Sequence, residues 1–151
     1  MRLIYALALA AGLLALGGAA AAQDTPEKKA LKELEGNYLL IGLKGKGVDL
    51  GEDDFKKVPD ADRKLVIKGD QIVAFGGGKE DPATIKLDIS KKPAHIDLTT
   101  TKGGKTEVNY GIYKLEGGVL TICAIEKGES KDRPKEFKAE GKEIMLTLKK
   151  Q

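Results

Sequence analysis

The amino-acid sequence predicts an all-β domain: a single antiparallel barrel of about eight strands behind a short N-terminal helix. Three observations carry this. From Gly36 onward, short runs rich in Val, Ile, Leu, Thr and Tyr recur at intervals of about ten residues, separated by glycine or lysine-glycine punctuation. Many of those runs alternate apolar with polar residues, the period of strands with one buried face. The length left after the N-terminal leader suits one domain with one hydrophobic core. An open two-sheet sandwich is the alternative architecture. Closure into a barrel removes the exposed edges that a sheet of this size would otherwise present.

Taken in order, residues 1–22 read as a signal peptide. Arg2 supplies the charged start, Leu3 to Leu16 the apolar stretch, and Ala20-Ala21-Ala22 the small residues of a cleavage site. The stretch is short for a membrane span, which needs about 20 apolar residues with anchoring flanks. The mature domain is expected to start at Gln23 and run to Gln151, in the periplasm or outside the cell, with no membrane span after cleavage. Gln23 to Glu35 reads as a helix. Asp24 is the expected cap, Pro26 suits an early position, Glu27 completes a capping box, and Gly36 ends the helix. Ala30, Leu31 and Leu34 share one face.

The strands expected are Tyr38 to Lys44, Leu65 to Lys68, Gln71 to Phe75, Thr84 to Ile89, His95 to Thr101, Lys105 to Leu115, Val119 to Glu126 and Glu143 to Lys149. A ninth, short strand is expected near Glu136-Phe137. Tight turns fall at Gly69-Asp70 and Gly117-Gly118. Asp53 to Lys57 reads as one helical turn covering an edge or opening. The alternation assigns Ile85, Leu87 and Ile89, then Ile96 and Leu98, then Leu120 and Ile122, then Ile144, Leu146 and Leu148 to buried phases. Val108, Tyr110 and Ile112 form a further apolar set, taken to face the same interior.

Three long stretches add a resemblance. The first reads D-I-S-K-K-P-A-H-I-D-L from Asp88, the second G-I-Y-K-L-E-G-G-V-L-T-I-C from Gly111, and the third D-R-P-K-E-F from Asp132. With Leu34-Glu35-Gly36-Asn37-Tyr38 and the closing Met145 to Lys150, they resemble an uncharacterised secreted, lipocalin-like domain family recurrent in planctomycetes. Tyr38 stands where that family usually has tryptophan. The resemblance covers almost all of the mature chain. It implies a lipocalin-like barrel and an extracytoplasmic location, and no activity.

Composition narrows the function classes. Arg2 is the one charged residue of the leader, so the mature chain keeps 25 of the 26 basic residues against 23 acidic ones. Lysine pairs such as Lys28-Lys29, Lys91-Lys92 and Lys149-Lys150 are interleaved with acids. This is a solvated surface rather than the one-sided basic stripe of a nucleic-acid binder. Cys123, the single cysteine, has no partner for an internal disulfide and lies in an apolar run, as a small buried residue would.

Catalytic and metal constellations are not legible. His95 is the one histidine, on the polar phase of its strand, and no serine stands in a nucleophile-elbow context. One histidine and one cysteine fall short of a zinc site. The acids Asp49, Glu52, Asp53 and Asp54 lack calcium-loop spacing. Gly103-Gly104-Lys105-Thr106 ends like a phosphate loop, but Thr99 stands where its first glycine belongs, and the context is strand-turn-strand. Asp88 and Asp97 flank Lys91-Lys92-Pro93 and are expected to pair with those lysines.

The expected protein is a non-catalytic, monomeric barrel without cofactor or metal, whose partner is a small apolar ligand or an unidentified protein. The expected interior or ligand-lining residues are Tyr38, Leu87, Ile96, Leu98, Tyr110, Ile112 and Leu120. The alternative is a structural or protein-interaction domain with a filled core, since the interior of an eight-stranded barrel is just wide enough for side chains.

Overall fold

A computed structural model describes residues 24–151. The expected signal peptide and the expected start of the mature chain at Gln23 lie outside the described residues. Helix α1 spans Pro26–Leu34, followed by β1 (Gly36–Gly45), β2 (Val48–Leu50), the short α2 (Glu52–Phe55), β3 (Lys64–Lys68), β4 (Gln71–Gly76), β5 (Lys79–Asp88), β6 (Ala94–Lys102), β7 (Lys105–Glu116), β8 (Val119–Ile125) and β9 (Glu143–Lys150). Two single 3-10 turns, Asp60–Asp62 and Ser130–Asp132, lie in the connections. Every strand pairing is antiparallel, and β1 pairs with β9 to close an eight-stranded barrel made of β1 and β3 to β9.

Strand β2 lies outside the closed ring. The first half of β1 pairs with β3 at residues 36–39, and its far end pairs with β2 at residues 43–45. Strand β2 therefore continues the barrel wall past the end of β3, beside the part of β1 that pairs with β9. Proline within β5 is accommodated for the same geometric reason. Pro82 pairs with Val73 of β4, but β6 joins β5 only from Thr84 onward, so the side lacking an N–H faces no neighbour.

Helix α1 closes the opposite end. Its cap is Thr25, whose hydroxyl accepts from the Lys28 amide at 3.3 Å. Asp24, the expected cap, instead pairs with Lys32 at 2.9 Å. Threonine wins because Pro26 starts the helix one residue later than a cap at Asp24 requires. Leu34 is buried in the core, with Ala30 and Leu31 packed against it, and the Tyr38 hydroxyl donates to the Leu34 carbonyl at 2.7 Å. That bond satisfies the phenol of a fully enclosed ring, so Tyr38 locks the helix onto the barrel.

The cross-strand register defines the interior. Residues directly opposite one another share a face. Ile96 of β6 stands opposite Leu87 on one side and Gly111 on the other, and Leu120 of β8 stands opposite Leu115 and Leu148. Tyr38, Leu65, Ile67, Ile72, Ile85, Leu87, Ile96, Tyr113, Leu120, Ile122 and Leu148 form one continuous buried cluster inside the barrel with Leu34. Burying each such Ile or Leu side chain stabilises the fold by about 1.5–3 kcal/mol.

Strand β7 departs from the expected phases. Tyr110 stands opposite Asp97 and Ile112 opposite His95, so Val108, Tyr110 and Ile112 lie on the outer face. The interior of β7 is Asn109, Gly111, Tyr113 and Leu115. Ile112 is nonetheless 1% exposed, because a second apolar layer covers this part of the wall. The β8–β9 connection, residues 126–142, lies across the outside of β6, β7 and β8. It buries Ile112, Cys123 and Ile125 beneath Pro134 and its own backbone. Apolar residues on both faces of β7 are the reason that period-two reading assigned the wrong side. No strand forms at Glu136-Phe137. That stretch is irregular and belongs to the covering segment.

Gly111 is demanded by packing. A Cβ there would stand 2.7 Å from the Cys123 carbonyl oxygen and 2.8 Å from the Ala124 Cβ. Gly103 and Gly104 are demanded by the backbone: both have positive φ, 58° and 77°, in the two-residue β6–β7 turn. The phosphate-loop look-alike is thus a hairpin turn.

Candidate functional site

The barrel is packed at the α1 end and open at the other. The open end holds a shallow cup of about 90 Å³. Leu98 of β6, Asn109 of β7, Ile122 and Ala124 of β8, and Ile144 and Leu146 of β9 line it, with Ile125 and Glu126 at the lip. The first six are interior-phase residues brought to the same rim by the register, where Leu146 stands opposite Ile122 and Ile144 opposite Ala124. Below this level the interior is filled by Ile96, Tyr113, Leu120 and Leu148.

The cup is extended by the β1–β2 hairpin. Leu43 stands opposite Leu146 on one side and Leu50 on the other, so Leu50 continues the same apolar row across β2, β1, β9 and β8. Val48 and Leu50 are the large apolar residues most open to solvent among the described residues, at 41% and 37% exposure. Both lie on the face that continues the cup. The rim is charged: Lys102 pairs with Asp81 at 2.6 Å, and Lys46 pairs with Glu126. Asn109 is the one uncharged polar side chain in the apolar wall.

Of the residues expected to line a ligand site, Leu98 reaches the cup. Tyr38, Leu87, Ile96 and Leu120 lie in the packed interior, and Tyr110 and Ile112 lie outside the barrel. Asn109, Ile122, Ala124, Ile144, Leu146, Val48 and Leu50 were not anticipated as lining. Their depth along the strand, which decides lining against packing, depends on register rather than on residue type.

On the outer wall, Arg133 holds the β8–β9 segment down. Its Nη1 donates to the carbonyls of Gly111 at 2.6 Å and Ile96 at 3.2 Å. Its Nη2 stands 2.7 Å from Asp97 Oδ1, a charge pairing without an aligned N–H, and its guanidinium lies 5.3 Å from the Tyr110 ring centre. Asp97 is therefore paired with arginine, not with the nearby lysines. Asp88 also departs from the expected lysine pairing: it accepts from the Ser90 amide at 3.0 Å and from the Ser90 hydroxyl. Those bonds hold the Asp88 carboxyl below the usual carboxylate range, the hydroxyl contributing most.

His95 is half-buried beside this latch. Burial, then the Arg133 charge, pushes its pKa below the ordinary imidazole value. Cys123 is fully buried, donates weakly to the Lys138 carbonyl at 3.2 Å, and has its thiol pKa pushed up by burial. A buried thiol with a raised pKa is not a nucleophile. The acids near α2 are also occupied: Asp49 pairs with Lys44, Asp53 with Lys56, and Asp54 accepts from the Gly51 amide. Among the described residues no group of three or more His, Cys, Asp or Glu is placed to hold a metal ion, and no helix is long and apolar enough to cross a membrane.

Comparison with family models, with curated proteins and with solved structures finds no match.

Proposed function

We propose that this protein is an exported, non-catalytic binding module that grips one apolar group of a small ligand in the cup at the open end of its barrel. One observation carries the reading. The apolar interior, packed at the α1 end, comes to the surface at the opposite rim, and Val48 and Leu50, the most exposed large apolar side chains among the described residues, continue it there. Ligand sites are mostly apolar concavities with a few placed polar groups, and Asn109 is such a group. The volume sets the scale. Whole drug-sized ligands occupy about 300–1,000 Å³. A cup of about 90 Å³ takes a ring or the end of a chain, and leaves the rest of the ligand against the hairpin. The leader sequence and the resemblance to a secreted lipocalin-like family support the extracytoplasmic setting.

A second reading is favoured by the completeness of the inner packing. Tyr38, Leu120 and Leu148 are entirely enclosed, as in a domain whose barrel is a scaffold and whose partner is a protein. The two readings separate on one experiment. An apolar fluorescent probe is expected to bind the native protein saturably, at near one-to-one stoichiometry. Ala124→Trp, which fills the cup from a half-buried position, is expected to abolish the binding while the urea midpoint stays within a few tenths molar. Unsaturable binding, or equal binding by the filled variant, would leave the scaffold reading standing.

A further inference from the structure

Charge is dispersed along the sequence, but the fold gathers cations at one place outside the barrel. A groove of about 370 Å³ lies between the β5–β6 connection and the β8–β9 segment. Nine residues line it, of which four are lysine or arginine, one is His95 and none is acidic. In a chain with nearly as many acids as bases, a cavity of this size without a carboxylate is a departure from its own surface. The apolar part of the floor is Pro93, which is half-buried and backed by the buried Ile112 and Pro134. Exposed lysines stand on both banks, Lys92 from the β5–β6 connection, Lys131 and Lys135 from the opposite segment.

Two of these cations are already engaged. Arg133 is paired with Asp97, and Lys131 with Glu129 at 2.9 Å. Lys92 and Lys135 have no carboxylate within ion-pair distance among the described residues. A concave surface lined by one sign of charge focuses its field on a counter-ion. An apolar floor between two free ammonium groups fits a molecule with an anionic head and a flat apolar body.

We propose that this groove is a second binding site, taking a small organic anion. Its carboxylate or phosphate head lies between Lys92 and Lys135, and its apolar body lies against Pro93, the half-buried apolar residue of the lining. The site is separate from the cup and stands without it. It also gives the β8–β9 segment a role besides covering the wall, since that segment supplies one bank and part of the floor.

Amide and histidine-ring NMR of the mature protein tests this, with benzoate and phenyl phosphate as probes, benzamide as the neutral isostere, and inorganic phosphate as the head group alone. Both aromatic anions are expected to shift Ser130 and His95 saturably, and to move the His95 titration upward, because a bound anion favours the imidazolium form. Lys92→Ala with Lys135→Ala, both exposed and unpaired, is expected to weaken binding about tenfold while the rest of the amide spectrum stays native. Benzamide binding as well as benzoate would overturn the anionic head. Inorganic phosphate binding as tightly as phenyl phosphate would overturn the apolar floor. An unchanged affinity in the double variant, or shifts confined to the cup, would overturn the site itself.

Discussion

Leu87 and Ile122 are buried inside the barrel, and Thr99, opposite Thr84 and Val108, lies on the outer phase. Leu87→Ala or Ile122→Ala is expected to destabilise by about 2–4 kcal/mol in urea melts, and Thr99→Ala by under about 0.5 kcal/mol. Similar losses at all three sites would mean that the faces are wrongly assigned. Gly111→Ala carries no cavity or exposure change, only a methyl driven into the Cys123 carbonyl and the Ala124 side chain, and is expected to cost about 1–3 kcal/mol. His95 adds a pH dependence. Its folded pKa lies below the ordinary value near 6.5, so the unfolded chain binds the proton more readily. Stability is therefore expected to fall as pH drops through and below about 6.5, levelling once the folded imidazole is itself protonated. His95→Gln should flatten that segment of the curve, and an unaltered slope would remove histidine as its cause. Residue identity made much of this legible. Cys123 read as a small buried residue because it sits in an apolar run with no activating neighbour. Arg133, in contrast, looks in the sequence like one more surface cation, since the carbonyls and carboxylate that hold it come from strands far away in the chain.

Among the elements, the β8–β9 segment carries the largest difference between sequence and structure. Its residues 126–142 contain little that is periodic, and the one short strand expected near Phe137 does not form. Yet it buries Ile112, Cys123 and Ile125, and Arg133 fastens it to the backbone of β6 and β7. The signal that was available, apolar residues at three successive positions of the outer phase of β7, Val108, Tyr110 and Ile112, was read as an inner face. A strand covered on both sides loses the contrast on which period-two reading depends. The element behaves as a latch. Arg133→Ala is expected to destabilise by about 2–4 kcal/mol, because it leaves the Asp97 carboxylate partly buried without a counter-charge. It is also expected to speed the reaction of Cys123 with an aromatic disulfide reagent by more than about tenfold under native conditions, since exposure and thiolate character govern thiol reactivity. A thiol that stays equally protected in the variant would show that the segment is held by its apolar contacts alone.

At the scale of the whole molecule, the eight strands of the barrel, their antiparallel order and the helix at the start all followed from turn spacing and alternation, whereas β2 did not. Most strand boundaries came out one or more residues short, above all at the start of β5, where Glu80-Asp81-Pro82 reads as loop chemistry but continues the β4–β5 hairpin, while the ends of β5 and β8 came out one residue long. The site was less legible. Alternation says which side of the wall a residue faces and nothing of its depth between a plugged end and an open one. Depth comes from closure by the β1–β9 pairing, from α1 seated over Tyr38, and from a β1–β2 hairpin too short to register as a strand pair in the sequence. These three features give a filled barrel an apolar mouth at the end opposite α1. Methyl-resolved NMR during titration with benzene tests that arrangement most directly. Saturable shifts are expected at Leu98, Ala124, Ile144 and Leu146, with the methyls of Leu87, Ile96 and Leu120 unmoved. Shifts centred on the latter group, or no saturable shift at any methyl, would contradict it.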